Sequence, residues 1–398
     1  MKKNHSDYSN SDLKIDQYDR DSTLFSVNQN SSRSPQRRRR KRQRKMVLIL
    51  LAVILLIVAG IIVLPPLLSS PQPSETTTPK TTQSSITRQT GSDSTTTVQT
   101  TTEQTTTAAT TTRPTISAAT RQTWLADTGA AVESLLGTYP GRYAVYYQNL
   151  ATGDIYQFQD DQPFVAASSI KLGINTYLYT KIESGEIDPA EMLTFDNRAY
   201  PTGDYEGGTG TIQGMANGTQ ISVRDTSGYS IRISDNCGTN MVIRRLGGID
   251  AINPYLSSIS GVVDYRQSVS YTTYNGSAAS GKHRTCARDL GLQAVYLYRL
   301  WQNNPAVYQP LIDDLCQTEF DFGIQKGIPA DLKVAHKIGT NGLYATENDV
   351  GIVLSGDEPF VLCVMTESGS AEQAHQIQAD IAKKFYDLYV RLSSNSGQ

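Results

Sequence analysis

The stretch Ala-Ser-Ser-Ile-Lys at 167–171 opens a helical pattern, and the organisation of the chain can be argued outward from it. Apolar residues recur four positions apart from Ile170 to Leu178, which predicts an amphipathic helix. Side chains three residues apart share a face of a helix, so the Ser168 hydroxyl and the Lys171 amine are expected to meet. The sequence therefore predicts a serine and a lysine side by side at the start of a helix.

A serine and a lysine in this arrangement can carry out nucleophilic chemistry. The hydroxyl attacks only when a neighbouring base takes its proton, and a lysine packed against apolar surface can lose its own charge and act as that base. Free backbone N–H groups at a helix N-terminus also stabilise developing negative charge. Because Ser-x-x-Lys is common by chance, the prediction depends on what else the sequence contains.

Two further motifs follow the first one along the chain. Ser-Asp-Asn stands at 234–236 and Lys-Ile-Gly-Thr at 337–340, the latter on a predicted strand. The three motifs in this order are characteristic of class A β-lactamases and penicillin-binding proteins, and residues 121–392 resemble a class A β-lactamase-like domain along their whole length. The segments that carry the resemblance are 164–172, 233–241, 334–340 and 348–352, together with 205–214, which is similar to the loop before the second motif in the Gram-positive branch.

The resemblance implies a catalytic role for four residues. Ser168 would attack the carbonyl of a strained lactam or of a peptide, and Lys171 would accept its proton. Ser234 would pass a proton to the leaving nitrogen, and Lys337 would attract the carboxylate of the substrate. The resemblance implies no metal and no cofactor.

The resemblance also implies a substrate-binding role for Asn236, Gly339 and Thr340. Asn236 would hold the side-chain amide of the substrate, and the backbone N–H groups of Ser168 and Thr340 would hold the oxyanion. Ile338 departs from the family, which usually has a Thr or Ser hydroxyl there, beside the substrate carboxylate. The Thr340 hydroxyl is the candidate that would compensate.

A second departure concerns the hydrolysis of the acyl-enzyme. Lactamases of this class activate the hydrolytic water with a glutamate on an Ω loop, and this chain has no glutamate between Glu206 and Glu319. The loop is expected near 263–267, where Asp264 and Gln267 form a possible deacylation region. In the family an aspartate just ahead of the glutamate is structural. We therefore expect an acyl-enzyme that forms readily and hydrolyses slowly.

Three functions are compatible with these motifs. The main prediction is a class A-type serine hydrolase that opens β-lactam rings, because the segments are more similar to those of class A enzymes than to those of penicillin-binding proteins. The second is a penicillin-binding D,D-carboxypeptidase or transpeptidase that acts on D-Ala-D-Ala stem peptides, which the missing glutamate favours. The third is an inactive cell-surface module of the same fold, in which Ser168 only caps a helix.

The N-terminal part of the sequence predicts a membrane anchor. Residues 37–45 are almost wholly basic, and the uncharged, apolar segment 46–68 that follows is long enough to cross a bilayer as a helix. A cleaved signal peptide would have a shorter apolar core and would not follow such a long polar segment. Basic residues stay in the cytoplasm, so we expect the catalytic domain outside the plasma membrane of a bacterium of the Gram-positive type.

The formal net charge of −2 over 398 residues argues against nucleic-acid binding by the molecule as a whole. We expect a monomer whose partners are a small lactam or D-Ala-D-Ala substrate, the membrane and the cell wall. The predicted organisation is a disordered cytoplasmic tail at 1–45, a transmembrane helix at 46–68, a Thr/Ser-rich stalk at 69–120, the hydrolase domain at 121–392 and a C-terminal tail at 393–398.

The pattern within the domain predicts an α+β fold. A helix and a β-hairpin come first, a mainly helical middle follows, and three strands and a helix close the chain. The strands after the middle are expected at 333–339, 349–354 and 360–366, and the closing helix at 370–392. We expect one antiparallel five-stranded sheet flanked by helices, with an inserted all-helical lobe, as in β-lactamases.

The cysteines and one histidine have structural interpretations. Cys237, Cys286, Cys316 and Cys363 show no Cys-x-x-Cys spacing, which argues against zinc. An exported chain can form disulfides, for which three full pairings exist, and buried free thiols are the equal alternative. His336 neighbours Lys337 on a predicted strand, so its side chain is expected on the opposite face.

Overall fold

The computed structural model describes residues 116–261, 270–279 and 284–395. The predicted cytoplasmic tail, the predicted transmembrane helix, most of the predicted stalk, and Asp264 and Gln267 lie outside these residues. Within the described residues, no helix combines the length and the apolar character needed to span a bilayer.

The described chain contains both helices and strands. The helices are α1 (Ala118–Leu136), α2 (Lys171–Glu183), α3 (Val223–Arg232), α4 (Asn236–Arg245), α5 (Ile249–Ser260), α6 (Ala287–Asn303), α7 (Pro305–Cys316) and α8 (Ala371–Asn395). The strands are β1 (Arg142–Asn149), β2 (Ile155–Phe158), β3 (Phe164–Val165), β4 (Met192–Thr194), β5 (Gln220–Ser222), β6 (Tyr271–Thr272), β7 (Ala278–Ala279), β8 (Arg284–Thr285), β9 (Lys333–Asn341), β10 (Thr346–Leu354) and β11 (Phe360–Glu367).

A five-stranded sheet in the order β2-β1-β11-β10-β9 forms the centre of the domain, and every pairing in it is antiparallel. Strand β11 has a nearly continuous apolar sequence because both of its faces are covered. The predicted antiparallel five-stranded sheet is confirmed. The three late strands and the closing helix lie within a few residues of their predicted bounds.

Helices cover both faces of this sheet. Val145 and Tyr147 of β1 pack into the core beneath α1 and α8, where the Tyr147 ring stacks on Phe385 with the ring centroids 4.3 Å apart. Ala144 and Tyr146, which alternate with them, pack into the core beneath α6. This alternation follows from the two-residue period of a strand.

The lobe inserted between β2 and β9 is helical in its main elements, but the prediction of an all-helical lobe was wrong. Three two-stranded pairings occur in its described residues: β3 with β8, β4 with β5, and β6 with β7. Each of these strands has only two or three residues, which is too short to produce a period of two in the sequence. The pairing of β3 with β8 fixes the segment that leads into the Ser168 turn.

Candidate active site

Ser168 lies in a short 3₁₀ turn, Ala167–Ile170, directly before α2. Ala167 has a φ of +47°, a left-handed conformation that costs energy for a residue with a side chain. The hydroxyl of Ser169 is buried and donates to Ala166 O at 2.6 Å. Ser168 is only half-buried, and its Oγ makes no hydrogen bond to another described residue. Of the two serines, Ser168 is therefore the one with an available hydroxyl.

The turn that carries Ser168 is held against the edge strand β9. A Cβ at Gly339 would lie 2.5 Å from Ser169 N and 2.7 Å from Ala166 O, so only glycine permits this approach. From the next strand, Asn348 Nδ2 donates to Val165 O at 2.9 Å and to Ala166 O at 3.2 Å. The sheet thus fixes the backbone on which Ser168 is mounted.

The amine of Lys171 is buried within the site, and its residue is only 4% exposed. Its Nζ donates to Ser234 O at 2.7 Å, to Asn236 Oδ1 at 2.8 Å and to Ser234 Oγ at 3.2 Å. Burial lowers the pKa of Lys171 to about 8, although the negative charges of Glu206 and Asp235 oppose the shift. A large fraction of this amine is therefore uncharged at mildly alkaline pH.

Ser168 and Lys171 were predicted to contact each other, but within the described residues their side chains form no direct hydrogen bond. The three protons of a charged Lys171 all have acceptors, on Ser234 and Asn236. An uncharged amine has only two protons and one lone pair, so two of those bonds suffice to orient it. The lone pair is then available for a proton from Ser168.

The hydroxyl of Ser234 lies between two lysines. Its Oγ is 3.2 Å from Lys171 Nζ and 3.1 Å from Lys337 Nζ. Lys337 is fully buried, and burial together with the charge of Lys171 holds the pKa of Lys337 well below its usual range. Two buried amines that share one hydroxyl are costly to protonate together. Residues from α2, from the α3–α4 connection and from β9 thus form one continuous path for a proton.

The middle residue of the second motif has a structural role. Asp235 is buried and caps α4, where its carboxylate accepts the N–H of Gly238 at 2.9 Å. The same carboxylate accepts the N–H groups of Thr211 at 2.6 Å and Ile212 at 2.8 Å. Asp235 therefore attaches the loop between β4 and β5 to the helix that begins with Asn236.

The model of the Beta-lactamase2 family, described as a β-lactamase enzyme family, matches residues 128–389. The chain belongs to this family. Its curated relatives include the β-lactamase SME-1 of Serratia marcescens, which is 22% identical over 252 residues that cover 61% of this chain and 82% of that protein. Another is a β-lactamase of Streptomyces albus G, 26% identical over 249 residues that cover 61% of this chain and 78% of that protein.

Solved structures of the family have the same fold. PBP-A superposes with a TM-score of 0.58 at 22% identity, over 67% of this chain and 97% of that chain. An ancestral class A β-lactamase superposes with a TM-score of 0.54 at 21% identity, over 65% of this chain and 99% of that chain. The predicted membership of the β-lactamase and penicillin-binding protein superfamily is confirmed.

The remaining predicted substrate-binding residues lie on β9. Gly339 contacts the Ser168 turn, and Thr340, which follows it, is exposed. Ile338 is 4% exposed and has no polar group to offer a carboxylate. Asp264 and Gln267 lie outside the described residues, so their part in deacylation stays a prediction.

Two residues near the site carried no motif signal. Phe320, in the connection after α7, has its ring centroid 5.8 Å from Lys337 Nζ. Glu206 accepts a hydrogen bond from Asn240 Nδ2 at 3.1 Å and, as noted, acts on the charge of Lys171. Glu206 belongs to the loop segment that resembles the family, but a loop pattern does not reveal which lysine a carboxylate approaches.

The histidine and the cysteines have structural surroundings. His336 lies on the opposite face of β9 from Lys337, as predicted, with its Nδ1 3.0 Å from Asp349 Oδ1. All four cysteines lie within the described residues and are free thiols, so the alternative without disulfides is the one observed. Burial raises the pKa of Cys286 to about 12 and of Cys316 to about 11, which makes both poor nucleophiles.

The geometry predicts that acylation of Ser168 becomes faster as pH rises. At pH values below its pKa of about 8, Lys171 keeps its proton and cannot accept another. The acylation rate should therefore rise up to about pH 8 and then level off. Stopped-flow acylation of the full-length chain by a reporter penicillin between pH 6 and 9 measures this. Lys171→Arg, which stays charged, should be slower than the wild type by roughly 10² to 10⁴ at pH 9, and the difference should narrow toward pH 6. A flat wild-type profile would exclude Lys171 as the base.

Proposed function

We propose that this chain is a serine hydrolase that opens β-lactam rings through an acyl-serine intermediate. The observation that carries the proposal is the Ser234 hydroxyl, within 3.2 Å of one buried lysine amine and 3.1 Å of another, beside the turn that presents Ser168. Its curated relatives are named β-lactamases, which supports a lactam as the substrate.

Acylation follows from this arrangement. Ser168 Oγ attacks the lactam carbonyl carbon while uncharged Lys171 takes the hydroxyl proton, and a C–O bond forms. As the tetrahedral intermediate collapses, the C–N bond breaks. The proton held by Lys171 passes through the Ser234 hydroxyl to the ring nitrogen, so Lys171 is uncharged again when the ester is complete.

Groups around the three acylation residues interact with the oxyanion, the amide and the carboxylate of the substrate. The backbone N–H groups of Ser168 and Thr340 stabilise the oxyanion, and β9 can offer the second because an edge strand has N–H groups that no neighbouring strand uses. Asn236 Nδ2 has only a 3.3 Å bond to Gly207 O, which a substrate carbonyl can replace. Lys337 and the Thr340 hydroxyl attract the lactam carboxylate.

We expect a penicillin to form a covalent adduct with Ser168. Intact-mass spectrometry of the full-length chain should show an increase equal to the mass of the intact penicillin. Ser168→Ala should form no adduct. Ser169→Ala is the matched control and should keep the adduct, because the Ser169 hydroxyl serves only the turn. An adduct on Ser168→Ala would overturn the assignment of the nucleophile.

We expect this adduct to hydrolyse slowly, over minutes to hours. A positioned general base contributes about 10² to 10⁴-fold to such a step, and the sequence between Glu206 and Glu319 has no glutamate to provide one. Gln267→Glu should shorten the lifetime of the adduct and leave its formation nearly unchanged. Rapid turnover by the wild type that Asp264→Asn abolishes would instead show that Asp264 is the base.

A penicillin-binding D,D-peptidase is the second candidate, and the missing glutamate favours it. Such an enzyme needs the same acylation groups but releases its lactam adduct slowly and acts on D-Ala-D-Ala peptides. Release of D-alanine from a stem peptide by the wild type, abolished in Ser168→Ala, would support this candidate over the lactamase.

We further propose that the domain is exposed outside the cell on the stalk, as a monomer beside the cell wall. The support is the order of basic segment 37–45, apolar segment 46–68 and Thr-rich stalk in the sequence. Protease added to intact cells should release a fragment that begins after about residue 69. Protection of the domain until the cells are lysed would contradict this topology.

A further inference from the structure

A groove of about 580 Å³ opens next to the catalytic residues. Its size is typical of a site for a small ligand. The residues that line it come from the loop between β4 and β5, from α3 and the residue after it, and from the connection after α7: 209–211, Gly228, Tyr229, Arg232, Ile233, Glu319 and Phe320.

The groove adjoins the residue that is proposed to protonate the leaving group. Ile233, which lines it, directly precedes Ser234, the residue that would give a proton to the leaving nitrogen. Phe320 lines it as well, and the Phe320 ring centroid is 5.8 Å from Lys337 Nζ. A substituent attached to the leaving group of an acylating substrate would therefore extend into this groove.

Arg232 brings a positive charge to the groove. Its guanidinium lies over Gly228, where a Cβ would come within 3.0 Å of Arg232 Nη2, and its side chain is 37% exposed. Nη1 donates to Asp314 at 2.6 Å, while Nε and Nη2 have no acceptor among the described residues. Arg224 also binds Asp314, with Nη2 3.1 Å from its Oδ1, so this one carboxylate balances only one of the two arginines.

Glu319 brings a negative charge to the same groove. Its backbone N–H donates to Arg232 O at 3.0 Å, which holds the two residues together. Glu319 is exposed, and its carboxylate forms no ion pair with Arg232 in the described part of the chain. Opposite charges that share a groove without pairing suit a ligand that carries both charges.

We infer that this groove binds a zwitterionic extension of the leaving group, with its carboxylate on Arg232 and its ammonium on Glu319. Tyr229 and Phe320 provide partly buried aromatic surface for the linking atoms. The inference rests on the proposed acylation of Ser168 and adds a preference among substrates: those whose leaving group carries a free amino-acid unit.

A pair of cephalosporins tests this inference. They share the acyl side chain and differ at the C3 substituent, which ends in an amino-acid zwitterion in one and in a neutral group of equal length in the other. We expect the full-length wild type to be acylated about tenfold faster by the zwitterionic compound, as measured by intact-mass kinetics. Arg232→Gln and Glu319→Gln should each bring the rate ratio close to one.

Arg198→Gln is the control, because it removes an exposed arginine that is paired with Asp196 and lies outside the groove, and it should keep the wild-type ratio. Glu319 is exposed, so Glu319→Gln carries little risk to folding. A wild-type ratio near one, or a ratio that survives both groove variants, would overturn the inference while the proposed function stands. Absence of acylation by both compounds would contradict the proposed function and this inference with it.

Discussion

The site depends on two buried lysine amines that share one serine hydroxyl. Removing an ammonium group from water is costly, so the fold reduces the cost by lowering the pKa of both Lys171 and Lys337. In the proposed reaction, the same lowering would let Lys171 act as a base and let protons pass through Ser234. The chemistry of these lysines therefore depends on their burial, because a better solvated lysine would keep its proton.

The two lysines and the serine are buried because they come from different parts of the fold that pack together. Lys171 opens a helix of the lobe, Lys337 lies on the edge strand of the sheet, and Ser234 lies in a connection within the lobe. The close approach at Gly339 and the amide of Asn348 tie the lobe to the sheet at this point. The site is formed where the lobe meets the sheet, so neither part could provide it alone.

The acylation groups do not distinguish a lactamase from a penicillin-binding peptidase, since both reactions begin with acylation of the serine. The distinction lies in what reaches the ester afterwards and in what leaves from it. Deacylation depends on the base that activates water, whereas selection of the leaving group depends on the groove with Arg232 and Glu319. The acylation groups therefore support the first half of the proposed reaction more strongly than the second.

Sequence patterns alone predicted the sheet, the closing helix and the face on which His336 lies, because apolar periodicity reports burial along a single segment. They did not determine the short strand pairs, which have too few residues for a period. No sequence pattern predicted that Lys171 bonds to Ser234 rather than to Ser168. Ser234 lies 63 residues from Lys171 and 103 from Lys337, and the pKa of a lysine is set by neighbours that the chain brings together only on folding.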